Sequence, residues 1–78
     1  MHIRTVPVVG SANIPMPANV KIYRVSSSAA IDLGYAAAEG TIAIATGTQG
    51  YVFINPLQVA EGDALTISGT ATVSVLYE

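Results

Sequence analysis

The side chains able to do chemistry in this 78-residue chain are few, and their spacing argues against most reactions. His2 is the only imidazole and sits beside Met1. Side chains at a terminus are loosely held, and a Ser-His-Asp relay needs a rigidly oriented base, so His2 reads as a solvated terminal histidine. Asp32, Glu39, Glu61, Asp63 and Glu78 are the only carboxylates. A glycosidase-type pair could be drawn from them, but Glu61 and Asp63 flank Gly62, and Glu-Gly-Asp ahead of a strand is turn chemistry. Calcium asks for about six to eight oxygen ligands, more than this stretch offers. Gly47-Thr48-Gln49-Gly50 resembles a phosphate-cradling loop only in its glycines; it lacks the lysine, and no helical pattern follows. Cysteine is absent, which removes disulfides and leaves no thiolate set for zinc. No catalytic, cofactor-binding or metal-binding residue is assigned, and the expectation is a protein that is not an enzyme and carries no cofactor.

The aromatic residues are the remaining candidates. Tyr23, Tyr35, Tyr51 and Tyr77, with Phe53, would support a carbohydrate-binding or adhesin-like module if their rings lined one exposed surface. They fall on separate segments of a chain without tryptophan. Core or interface anchoring, with the hydroxyl paired, is the commoner use of tyrosine in such places. The Ser26-Ser27-Ser28 run reads as a loop.

The elements that position these residues follow a period of two. Val20–Val25 reads as a strand ending in the serine run, and the Pro15-Met16-Pro17 stretch before it makes residues 10–18 a connector or arm. In residues 28–40 the alanines favour helix, but Gly34 opposes it and Ile31, Leu33 and Tyr35 alternate, so strand or extended loop is the expectation. Thr41–Thr46 and Tyr51–Asn55 flank Gly47–Gly50 as a hairpin would. Pairing 46 with 51 puts Ile42, Ile44, Tyr51 and Phe53 on one face and Ala43, Ala45, Val52 and Ile54 on the other. Residues 60–63 supply a turn. In the last segment, a continuous strand through Gly69 or a three-residue loop at 68–70 keeps Leu65, Ile67, Ala71, Val73, Val75 and Tyr77 together, leaving a hydroxyl-rich face of Thr66, Thr70, Thr72 and Ser74. The expected fold is all-β: a small antiparallel β-sandwich or partly open barrel of about six short strands. Residues 1–18 form an extended N-terminal arm and residues 19–78 the β-sandwich domain.

Composition then points to association. Only 10% of the residues are charged while 51% are hydrophobic, and the net charge is −2; ordinary domains carry about 25% charged residues. Low net charge over an apolar surface favours association, and a chain this small usually needs a staple, which here leaves oligomerisation or docking. Ala43, Ala45, Val52 and Ile54 are the expected interface residues, together with Ile3, Val6 and Val8 of an arm that adds to a neighbour's sheet edge. Three basic residues are too few for phosphate-driven nucleic-acid binding. Polar residues and prolines break every apolar run before the roughly 18 residues of a membrane span, and no secretory signal is visible. No small-molecule substrate is expected.

The Ala/Thr/Ser/Gly-rich, charge-poor strands of residues 20–78, above all the run Gly69-Thr-Ala-Thr-Val-Ser-Val-Leu-Tyr-Glu78, resemble the small all-β structural proteins of tailed-bacteriophage particles, such as head decoration (cement) proteins and short fibre or collar proteins. That resemblance implies a virion structural protein, assembled in the host bacterial cytoplasm, whose partners are other copies of itself and a larger structural protein such as a major capsid or tail protein. It carries no motif from which individual functional residues transfer. An accessory subunit of a bacterial complex is the other non-enzymatic expectation.

Overall fold

Alternation with few breaks turns most of the chain into strands. The computed structural model describes all 78 residues and contains no helix. Six strands follow in chain order: β1 (His2–Val8), β2 (Ser11–Pro15), β3 (Lys21–Ala37), β4 (Gly40–Gln58), β5 (Ala64–Ser68) and β6 (Ala71–Tyr77). They form one antiparallel sheet in the order β1-β6-β3-β5-β2, with β4 along the other side of β3. This is the expected all-β, antiparallel class, curled into a half-barrel.

Strand length dictates the curl. The 17 residues of β3, at about 3.3 Å each, would reach roughly 56 Å if straight, twice the 28 Å longest dimension of the molecule. The sheet therefore folds back on itself. β1 and β2 are two halves of one ribbon, lying against β5 and β6 in a single unbroken register from His2 opposite Tyr77 to Pro15 opposite Ala64. β3 holds the other side of β5 and β6, again in one register from Arg24 opposite Leu76 to Ala36 opposite Ala64. The ribbons bend at one level: Val9–Gly10, Gly69–Thr70, Ser28–Ala30 of β3, and Gly47–Gly50 of β4.

Local polar groups fix that corner. The Gly69 amide donates to the Gly10 carbonyl at 2.7 Å, and the Gly10 amide donates to Thr70 Oγ1 at 3.1 Å. Ser27 Oγ donates to the Ala29 carbonyl at 2.6 Å, and Ser28 Oγ accepts the Thr72 amide at 2.9 Å. The serine run expected to end a strand is thus the bend of a continuous one, where hydroxyls satisfy backbone groups that the ladder leaves free.

Folding creates two half-sheets with the core between them. β1, β6, residues 21–27 and residues 50–58 form the first; β2, β5, residues 31–37 and residues 40–48 form the second. One cluster of 12 buried side chains joins them, including Ile22, Val25, Val73 and Val75 from the first and Ile14, Leu33, Leu65 and Ile67 from the second. Opposite the corner the fold is open, and two connectors close it: the Asn19 amide donates to the Val59 carbonyl and the Val59 amide to the Val20 carbonyl, at 2.8 and 2.9 Å.

Several expectations change. Residues 1–18 are extended but are not an arm outside a 19–78 domain, because β1 and β2 pair with β6 and β5 of the same sheet and Val8, Ile14 and Met16 are core. Nor are the strands uniformly short: β3 and β4 have 17 and 19 residues. Gly47–Gly50 is not a hairpin loop. The hairpin turns instead at Ala38–Glu39, where Ala37 pairs with Gly40, and Gly47–Gly50 is the corner of β4. Asn55–Pro56 does not end that strand either; residues 53–56 bulge opposite Tyr23 before Leu57 pairs with Ile22. Residues 28–37, by contrast, are strand, and the turn at 60–63 forms with Gly62 at φ 85°. The core set of the last segment holds as well, since the register runs through the bend and Leu65, Ile67, Ala71, Val73, Val75 and Tyr77 all pack on the core.

Two outcomes test this architecture. Deleting residues 1–12 removes β1 and the start of β2, uncovers Val73 and Val75, and should lower the thermal midpoint by more than about 10 °C, since a loss of 1 kcal/mol is worth roughly 4–8 °C at this size. An unchanged midpoint would mean that the segment is not integral. At the corner, a Cβ on Gly69 would meet the Ala30 carbonyl oxygen and Ile31 Cγ2, each at 3.2 Å, from a φ of 129°, whereas one on Gly10, at φ 76°, would meet nothing within 4 Å. Gly10→Ala should cost about 1–2 kcal/mol from conformation alone, and Gly69→Ala clearly more in the same denaturant titration.

Candidate interaction surfaces

The fold leaves two outer faces of different chemistry. On the first half-sheet, cross-strand pairing puts Ile3, Leu76, Arg24 and Val52 in one row, and partners in a row project to the same side. The neighbouring row is Thr5, Ser74, Ser26 and Gly50, with Thr5 Oγ1 and Ser74 Oγ 3.1 Å apart. Ile3 and Val52 are 70% and 66% exposed, and Ile54, in the bulge just beyond Val52, is 96% exposed. Arg24 is the one charge in the apolar row.

The second half-sheet presents a shallow groove of about 350 Å³ on its outer side, with a lining of mixed polar and apolar residues. Asn13, Thr66, Gly34 and Ala43 form the row along its floor. Ser11, Ser68, Asp32 and Thr41 stand around it. Gly34 is required by close packing, since a Cβ there would lie 2.5 Å from Thr66 Oγ1 and 3.1 Å from the Ile42 carbonyl oxygen. Asp32 accepts the Gly47 amide at 2.9 Å and so holds the corner of β4. No aromatic ring lines the groove.

The expected interface residues divide among three places. Ile3 and Val52 stand at the two ends of one row on the outer face of the first half-sheet, with Ile54 in the bulge beyond Val52. Ala43 lies in the groove of the second, and Ala45, half-buried, pairs with Leu33. Val6 and Val8 are not available to a partner in this structure: Val8 is buried at 3% exposure and Val6 packs against the core, because alternate residues of β1 point inward opposite Val73 and Ala71. The hairpin turns at Ala38–Glu39 and not at Gly47–Gly50, yet the faces expected of 51–54 hold, with Tyr51 and Phe53 packed on the core and Val52 and Ile54 exposed.

The aromatic rings are occupied in holding the fold. Tyr51 and Phe53 meet edge to face at 4.9 Å, and Tyr77 lies against His2 with centroids 5.4 Å apart. No group of three His, Asp or Glu side chains gathers anywhere in the chain. Tyr35 donates its hydroxyl to the buried Asp63 carboxylate and accepts the Ala60 amide at 3.3 Å, pinning the connector between β4 and β5 to the end of β3. Reading Asp63 as turn chemistry was sound as far as it went; its buried contact with Tyr35, 28 residues away, has no signal in local sequence.

No protein-family model, curated protein or solved structure matches the chain. Its function is therefore argued from these surfaces.

Burial, reinforced by the hydrogen bond to Asp63 and by that carboxylate's charge, holds the Tyr35 phenol above its usual range, against a smaller opposing effect of the Ala60 amide. A raised folded-state pKa means that the contribution of Tyr35 to stability is complete below the unfolded value of about 10 and is lost as pH rises through the folded one. Tyr35→Phe leaves Asp63 without that donor and should cost about 1–2 kcal/mol at neutral pH. The gap between wild type and variant should close above about pH 10, and urea midpoints measured from pH 7 to 11 would reveal a gap that stays constant if this pairing is wrong.

Proposed function

We propose that this chain is a non-enzymatic structural subunit that docks on a larger protein assembly through the outer face of its first half-sheet. The observation that carries the reading is the outer row in which Ile3 and Val52 are exposed and Leu76 is half-buried, with the exposed Ile54 beside Val52. Isolated surface apolar residues need no explanation; a group of them sharing one face, in a chain with 10% charged residues, fits a contact surface. A standard interface takes about 800 Å² from each partner, roughly a sixth of the 4507 Å² surface of this chain, so one face suffices. Arg24 lies inside the row, between Leu76 and Val52, and arginine is among the residues enriched at protein contacts.

Within that reading, the resemblance of the charge-poor β strands to decoration, fibre and collar proteins favours a virion of a tailed phage as the assembly and a capsid or tail protein as the partner. Many copies on one particle would add avidity to a modest single contact. The carbohydrate-module alternative is the weaker reading, because Tyr51 and Tyr77 pack against Phe53 and His2, Tyr35 is bonded to Asp63, and all four tyrosines are half-buried.

The test follows from exposure. Ile54 and Val52 are largely solvated in the isolated chain, so Val52→Lys and Ile54→Lys together should shift its stability by no more than about 0.5 kcal/mol each. In the native source, the wild-type chain should sediment with a particle far larger than its own 8.0 kDa, and the doubly substituted chain should be lost from that particle, because a lysine buried without a partner is strongly disfavoured. Wild-type chain that sediments as a free monomer, or variant chain retained in the particle, would overturn the proposal.

A further inference from the structure

The two free edges of the curled sheet are treated differently by the sequence. The β1–β2 edge carries His2, Arg4, Pro7 and Pro15, and the Arg4 guanidinium donates to the Pro15 carbonyl at 2.7 Å, across the mouth between the two half-sheets. Charges and prolines at such places are the usual means by which a sheet edge is kept from pairing with another chain. The β4 edge is longer, 19 residues, and from Gly40 to Gln58 it has no Lys, Arg, Asp or Glu and a single proline, Pro56.

One part of that edge is left unfinished. Ile14, Leu65, Tyr35 and Ile42 form a single cross-strand row on the core side of the second half-sheet. Burial fades along it, from 1% exposure at Ile14 and 0% at Leu65, through the half-buried Tyr35, to 63% at Ile42. Ile42 points the way a core residue points and is exposed because no strand lies beyond β4. Beside it is an open hollow of about 250 Å³ lined by Ala37, Glu39, Gly40, Thr41 and Ile42.

We infer that the missing strand is the same segment of a second copy. The sequence Thr41-Ile42-Ala43-Ile44-Ala45-Thr46 reads nearly alike in both directions. Antiparallel pairing about a two-fold axis at Ala43 sets Ile42 opposite the partner copy's Ile44, Thr41 opposite its Ala45 and Ala43 opposite its own counterpart. Opposed residues then share a face, so Ile42 is covered from the core side by an isoleucine that already packs against the core of its own chain. The absence of charge lets two identical edges meet without like-charge repulsion, which β1 against β1 would bring through Arg4. Self-complementarity selects a second copy rather than an unrelated strand, and a two-fold interface of this kind closes at a dimer. The pairing uses the β4 edge of the second half-sheet and not the outer face of the first, so it stands apart from the docking reading above.

The native chain has no cysteine, which makes a single-cysteine test clean. Under mild oxidation the purified Ala43→Cys chain should form a disulfide-linked dimer, while Val52→Cys, on the same strand beyond the corner, should remain largely monomeric. Sedimentation equilibrium of wild type should show a monomer–dimer system, and Ile42→Lys should weaken it by at least about tenfold, since an inward-pointing charge on an edge blocks pairing. Ile42 is exposed in the single chain, so that variant should keep the far-UV β signal and thermal midpoint of a wild-type monomer; Thr41→Pro, which removes one edge donor, gives a second reading of the same contact. A wild-type monomer at high micromolar concentration, a dimer indifferent to Ile42→Lys and Thr41→Pro, or cross-linking at Val52→Cys in preference to Ala43→Cys would overturn the inference. Loss of particle binding by the Val52→Lys, Ile54→Lys chain would not bear on it.

Discussion

The fold depends on a shared bend. β5 and β6 are paired on both sides, by β1 and β2 along one and by β3 along the other, and both registers continue unchanged across Gly69–Thr70. A straight sheet of this length would leave one face of every strand in water, and 78 residues could not cover it. Bending all the ribbons at one level lets each strand bury both of its halves against each other. Leu65 and Ile67 on one side of Gly69 thereby join the same core as Val73 and Val75 on the other. The bend is tight enough that Gly69 sits against the backbone of Ala30 and Ile31, so a side chain there would push the central ribbon away from β3 at the point where both turn.

Much of the remaining structure serves that bend. Hydroxyls of Ser27, Ser28 and Thr70 replace ladder hydrogen bonds at the corner, and Asp32 holds the turning point of β4 through the Gly47 amide. At the open end, Arg4 spans from β1 to β2, the connectors bond to each other through Asn19, Val20 and Val59, and Tyr35 fastens the second connector through Asp63. These are long-range contacts. Their loss would let the half-sheets separate and open the apolar face of each to water.

The period of two, the turn at 60–63 and the parity of residues 65–77 were all legible, because alternation is a local signal and a register slip would expose the apolar set. The corner of β4 was not legible. Gly47 at φ 63° suits a hairpin loop and a sheet corner equally, and only the pairing of Ile31 with Thr48 and Ser26 with Gly50 distinguishes them. Pro15 is ambiguous in the same way. Proline is as acceptable on an edge strand as in a connector, and what makes β1 and β2 strands is their partners, more than 60 residues away in β6 for every residue of β1. The candidate surfaces were half visible for the same reason: Val52 and Ile54 follow from alternation, whereas their sharing a face with Ile3 follows from a sheet order that no local pattern contains.

Placement of the charges explains why the outer faces carry so few of them. Of the three basic and five acidic residues, Arg4, Asp32 and Asp63 are committed to closing the mouth, holding the β4 corner and anchoring a connector. Glu39 and Glu61 occupy turns, and Lys21 and Glu78 meet through their backbones at the end of the sheet. Arg24 is then the one ionised side chain in the outer row of Ile3, Leu76 and Val52. A chain that bends so sharply uses its few charges at corners and mouths, where unpaired backbone groups concentrate, and its faces and its β4 edge are left to apolar, hydroxyl and glycine residues. The proposed contacts with other protein surfaces fit that distribution: the water-exposed sides of this small fold lack the dispersed charges that keep isolated domains apart, and the side chains that would gain most from being covered, Ile3, Ile42, Val52 and Ile54, are the ones the sheet itself cannot cover.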